Sequence, residues 1–130
     1  MTTGSKTLHR GLWVAQILAA VAFFMAGSFK TFTPGDELAA AGMTAPLAVL
    51  RMAGISELAG AAGLLLPAGL RIKPWLTPLA AAALTVVMVL AFFTHVLAGD
   101  FGGTVPAIVL GALSAFIAWG RAKKAPITGR

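Results

Sequence analysis

The 130 residues are 58% hydrophobic and 11% charged, which leaves too little polar surface for a water-soluble domain. Cysteine is absent, so thiol redox relays, iron–sulfur clusters and thiolate zinc sites are excluded. The formal net charge of +6 does not mark a nucleic-acid binder, because the cations sit between apolar runs rather than on a polar face with interleaved aromatics.

The length suits four spans of about 20 residues each. A basic tail, residues 1–10, carries Lys6, His9 and Arg10, and the first apolar stretch follows at residues 11–29. A basic start with the small residues Ala26, Gly27 and Ser28 has the outline of a cleavable signal peptide, but the apolar core is too long, and a retained signal-anchor helix is expected. Gln16 shares a helical face with Phe23 and Lys30 and reads as a packing residue; His9 belongs to the tail and to no site. The separator TFTPGDELAAAGMTAP, with Pro34, Gly35 and Pro46, reads as a loop.

The second stretch, residues 45–66, contains the segment RMAGISELAGAAGLLLP with two full charges. At about 1.5 Å per residue, Arg51 lies about 7 Å and Glu57 about 16 Å into the span, which puts Glu57 near the bilayer midplane. Six residues separate them by about 120° around the helix, so they are not partners on one face. A carboxylate at that depth must be protonated, paired with another helix, or open to a polar cavity.

After the basic separator PAGLRIKP comes the third stretch, residues 75–97, which places His95 about 30 Å of helix beyond Trp75. The glycine-rich AGDFGG then leads into the fourth stretch, residues 104–119, and a second basic tail, residues 120–130. Lys30, Arg51 and His95 therefore fall on one side of the membrane, as a collar above Glu57. Glu57 has two open readings, a structural pair and a proton or ligand group; Arg51 and Lys30 read equally as interfacial anchors that snorkel outward, and His95 as a capping residue.

Charge gives the orientation. Lys6, Arg10, Arg71, Lys73, Arg121, Lys123, Lys124 and Arg130 lie in the two tails and the second separator, whereas Asp36, Glu37 and Asp100 lie in the first and third. Both termini are thus expected on the cytoplasmic side of the inner membrane, and Trp13, Trp75 and Trp119 all fall at that same interface. The expected fold is all-α: one integral membrane domain over residues 1–130, a four-transmembrane-helix bundle whose fifteen glycines and alanine runs let helices approach closely. Two facing imidazoles for haem, a histidine–carboxylate metal centre and a phosphate-binding glycine loop are all missing.

AGSFK closing the first helix, RMAGISELAGAAGLLLP in the second and LAAAALTVVMVLAFFTHVLAGD in the third resemble the DoxX-like family of small four-helix membrane proteins. The resemblance implies a four-helix bundle with Lys30, Arg51, Glu57 and His95 at the family's polar positions. It further implies membrane oxidoreductase systems, including a thiosulfate–quinone oxidoreductase subunit, and, in a eukaryotic relative, chaperoning of receptor channels. The leading expectation is a quinone- or small-ligand-binding oxidoreductase subunit. In it Lys30, Arg51, Glu57 and His95 hold the ligand, Glu57 and His95 move protons, a partner subunit or a bound cofactor supplies the redox centre, and no metal is bound by this chain. A membrane scaffold, including a homo-oligomer, acting through small-residue faces is the alternative. A proton-coupled transporter is third, weakened by the lack of tyrosine and by a glutamate on the second helix.

Overall fold

The computed structural model describes residues 3–43 and 45–130. Met1, Thr2 and Thr44, which fall in the expected tail and first loop, lie outside the described residues. All regular structure among the described residues is helical: α1 (Thr3–Phe32), α2 (Gly35–Ala40), α3 (Leu47–Leu70), α4 (Leu76–Leu97), α5 (Phe101–Trp119) and a π-helical turn (Gly120–Lys124). Four of these stretches, Ser5–Phe32, Leu47–Leu70, Leu76–Leu97 and Phe101–Lys124, are long and apolar enough to cross a membrane.

Several boundaries differ from the sequence expectation, each for a local reason. α1 takes in most of the basic tail, starting at Thr3 rather than 11. The first separator holds a short helix, α2, whose first turn carries Asp36 and Glu37 against its positive dipole end. α5 starts at Phe101 rather than 104, because the Asp100 side chain accepts a hydrogen bond from Gly103 N and caps it. α3 runs through Pro67 to Leu70. A proline inside a helix removes one backbone donor and leaves the carbonyl four residues earlier bare. Here that carbonyl is Gly63 O, and Thr77 Oγ1 of α4 donates to it at 2.9 Å.

The spanning helices pack in the ring order α1, α3, α4, α5, with α1 meeting α5 more lightly. The inside is lined by Leu12, Ala15, Ala19, Phe23, Leu64, Leu84 and Ile117, together with buried Gln16, Glu57, Thr77, Ser114 and Arg121. The outside carries Leu18, Phe24, Met25, Met52, Leu90 and Leu97, all more than half exposed. Apolar side chains out and polar side chains in is the distribution that lipid imposes, since tails compete with the core for apolar groups but offer polar groups nothing. Glycines set the helix approach: a Cβ at Gly60 would fall 2.5 Å from Leu84 Cδ2, and one at Gly63 2.6 Å from Ala80 Cβ.

The start of α1 and the C-terminal segment lie at one end of this ring, where His9 meets Arg121 and Arg130 meets Arg71. That terminal end holds the cations of both tails and of the α3–α4 connection, while α2 and Asp100 occupy the far end.

Candidate functional site

The far end is built on the α1–α3 contact. A Cβ at Gly27 would sit 2.7 Å from Gly54 O, and one at Gly54 2.9 Å from Gly27 O and 2.8 Å from Lys30 Cβ. The two glycines let the backbones touch, and Lys30 and Glu57, each one turn further along helices that run in opposite directions, lean back toward this contact and meet across it. Lys30 Nζ donates to Glu57 Oε1 at 2.7 Å. The Glu57 side chain is 1% exposed, that of Lys30 19%. The other carboxylate oxygen, Glu57 Oε2, is buried and has no hydrogen-bond partner among the described residues.

Arg51 acts at a different place. Its Nη1 donates to the carbonyls of Lys30 (2.9 Å), Thr31 (2.9 Å) and Thr33 (2.6 Å). The last carbonyls of a helix lack intrahelical donors and carry the negative end of its dipole. Arg51 therefore fastens the end of α1 to α3 and fixes the backbone from which Lys30 projects.

His95 closes the other side. Its Nδ1 lies 3.0 Å from Asp100 Oδ2, and Asp100 Oδ1 accepts from Gly103 N at 3.1 Å. A Cβ at Gly103 would run into the His95 ring and the Asp100 carboxylate, so this glycine makes the room in which the pair forms.

Between these groups lies a cavity of about 310 Å³, lined by Lys30, Glu57, His95 and Asp100 on its polar side and by residues such as Val49 and Leu90 on its apolar side. That volume is at the lower end of the range for small-molecule sites. Met52, Val49 and Leu90 are 69%, 51% and 63% exposed, so the cavity opens between α3 and α4 toward the lipid-facing surface. Of the four site residues expected from the sequence, Lys30, Glu57 and His95 share this cavity; Arg51 stands behind it at the end of α1. Among the described residues no three His, Cys, Asp or Glu side chains gather as a metal centre requires.

A second polar cluster, at the terminal end, corrects the sequence reading. Arg121, expected in the basic tail, is 2% exposed. Its Nε donates to Gln16 Oε1 at 2.6 Å, its Nη1 to Ala125 O at 2.8 Å, and Nη1 lies 2.9 Å from His9 Nδ1. Gln16, expected only to pack, is fully buried and also donates to Leu64 O at 2.7 Å. His9, expected in no site, is the third member. The signal for this cluster is Gly120: a Cβ there would fall 2.5 Å from Leu12 Cδ2, so the glycine lets α5 end hard against α1 and turns the next residue inward.

The sequence profile of the DoxX-like family matches residues 14–117. The match takes in Gln16, Lys30, Arg51, Glu57 and His95 and stops short of Arg121. No curated protein and no solved structure matches the chain.

Proposed function

The chain belongs to the DoxX-like family, and from that premise we propose that it is a small-ligand-binding subunit of a membrane oxidoreductase system, taking a quinone-type headgroup in the cavity between α3 and α4. One observation carries this reading: Glu57 lines the cavity, and its Oε2 is buried and has no donor among the described residues. An unmet buried acceptor costs about 1–3 kcal/mol, more when charged. A hydroxyl on a ligand ring meets it, while Lys30 holds the opposite carboxylate oxygen and fixes the rotamer. The apolar walls take the ring, and the opening toward lipid admits a molecule that partitions into the bilayer.

A quinone-type group, when bound, supplies two-electron, two-proton chemistry. The residues of this chain hold, orient and exchange protons: Glu57 accepts a hydrogen bond or a proton at Oε2, Lys30 balances the charge, and the His95–Asp100 pair stands at the mouth as a proton-exchanging group. Electrons then come from a partner subunit. In the same reading the protein sits in the cytoplasmic membrane with both termini on the cytoplasmic side, since the terminal end carries eight cations and no acidic side chain.

Titration of a quinol analogue into the purified protein tests the reading. Saturable binding is expected, weakened about tenfold by Glu57→Gln, which replaces one acceptor oxygen with a donor. Non-saturating and equal responses from both proteins would overturn it. A scaffold role is favoured by the completed Lys30–Glu57 tie between α1 and α3, and it requires a stoichiometric partner to co-purify from native membranes.

A further inference from the structure

Arg121 is a full charge placed inside the bundle without a countercharge. The four acidic side chains of the sequence are Asp36, Glu37, Glu57 and Asp100; Glu57 is paired with Lys30, and the others are in α2 or next to α5 at the far end. The partners of Arg121 are neutral acceptors: Gln16 Oε1, His9 Nδ1 and O, and Ala125 O. Its ring contact, Trp13 at 5.5 Å, is also neutral. A guanidinium has five N–H groups, and these are four contacts, one of them, from Nη2 to His9 O, a weak 3.4 Å. Among the described residues one N–H is left over.

Arg121 also lines a second cavity, about 350 Å³, together with Pro74, Trp75, Pro78, Ala122, Pro126 and Ile127. The C-terminal segment forms one wall because it is tied down. Arg130 N donates to Arg71 O at 2.9 Å, Arg130 Nε to Leu70 O at 2.7 Å, and Arg71 Nε to Thr128 O at 2.8 Å. These bonds hold Arg71 in a left-handed conformation, φ 56°, at the end of α3. Arg71 and Lys73 belong to the α3–α4 connection that leads into Pro74, and Lys123 and Lys124 follow Arg121 in the chain. Trp75, 60% exposed at the start of α4, marks the depth at which indoles meet headgroups.

We propose that this cavity binds a phosphate-bearing anion through Arg121, either the headgroup of an anionic phospholipid or a free phosphate. A buried cation without a countercharge, a spare donor and a cavity at interfacial depth are the elements that recognise such a group. The site is separate from the Glu57 cavity and lies at the opposite end of the bundle; Arg121 and the C-terminal wall fall outside the segment matched to the family, while Pro74, Trp75 and Pro78 fall inside it.

The test uses the full chain in uncharged detergent, with the thermal unfolding midpoint read against phosphatidylglycerol, phosphatidylcholine and inorganic phosphate. Arg121→Gln would also cut the ties to Gln16 and His9, so the charge is changed at exposed Ala122 instead. Phosphatidylglycerol is expected to raise the midpoint and phosphatidylcholine to leave it. Ala122→Glu should need about fivefold more phosphatidylglycerol for the same rise, the scale of one charge near a headgroup. Ala122→Gln, and Ile72→Glu placed outside the cavity, should follow the unaltered protein to within about twofold. If phosphate alone reproduces the rise with the same dependence on residue 122, the ligand is the free anion; if only the lipid does, it is the headgroup. Equal responses to the two lipids, no response to lipid or phosphate, or equal weakening by Ala122→Glu and Ile72→Glu would each overturn the proposal.

Discussion

Thr77 Oγ1 of α4 donates to Gly63 O of α3 at 2.9 Å, the carbonyl that Pro67 deprives of its helical donor. The bond repairs the helix and ties two spans together with one side chain. In lipid no water can stand in for it. Thr77→Val, which keeps the shape and deletes the donor, is expected to lower stability by about 1–2 kcal/mol. In a Pro67→Ala background the carbonyl regains its own donor and the same change should cost less than half as much. Unfolding in mixed detergent would show it, and equal costs in the two backgrounds would remove the coupling.

The α1–α3 approach rests on two glycines, and Gly54 is the more confined. A Cβ there meets Thr31 Oγ1 at 2.6 Å, Lys30 Cβ at 2.8 Å and Gly27 O at 2.9 Å, two of them backbone or backbone-proximal atoms that cannot swing away. Gly54→Ala should therefore push the helices apart, cost about 2–3 kcal/mol, and weaken quinol binding by pulling Lys30 from Glu57. Gly11→Ala is the control, since nothing lies within 4 Å of its Cβ position, and there alanine should stabilise by up to about 1 kcal/mol. Similar losses at both positions would contradict the contact.

These two contacts mark how far the sequence can be read. The spans are legible because lipid demands about 20 apolar residues in a row, and the pairing of Lys30 with Glu57 is foreshadowed because a deep carboxylate must find a partner across helices. Pro67 is legible as a break but not as one that α4 repairs, because the repair depends on the register of α3 against α4. Arg51 is legible as a charge at the membrane edge; its grip on the end of α1 depends on the bend of the chain at Thr33. Arg121 is the least legible. Its partner Gln16 lies 105 residues away, and in one dimension an arginine after the last tryptophan is indistinguishable from its tail neighbours Lys123 and Lys124.

Arg51 should behave as a positioning residue. It does not line the Glu57 cavity, and its three acceptors are all carbonyls at the end of α1. Arg51→Gln is expected to cost about 1–2 kcal/mol through the lost charge-assisted cap. The affinity for a quinol analogue should change by less than about threefold, against about tenfold for Glu57→Gln. If Arg51→Gln abolishes binding while leaving the unfolding midpoint in place, the arginine contacts the ligand directly and its capping role is secondary.

The Lys30–Glu57 pair makes the sharpest prediction, because its two halves are unequally buried. Glu57 is 1% exposed and Lys30 19%. Lys30→Met strips from a buried carboxylate the only donor it has among the described residues, and breaking a pair in that way costs about 3–5 kcal/mol, here toward the lower figure because the lysine reaches partly to the surface. Glu57→Gln removes the charge but keeps an acceptor for Lys30 Nζ, and should cost about 1 kcal/mol. Adding Glu57→Gln to Lys30→Met removes the stranded charge, so the double variant should be more stable than Lys30→Met alone. That reversal of sign is what the measurement has to find. A double variant less stable than either single one would mean that Glu57 is held by something other than Lys30, and the orphan Oε2 would lose its standing as the group that receives a ligand.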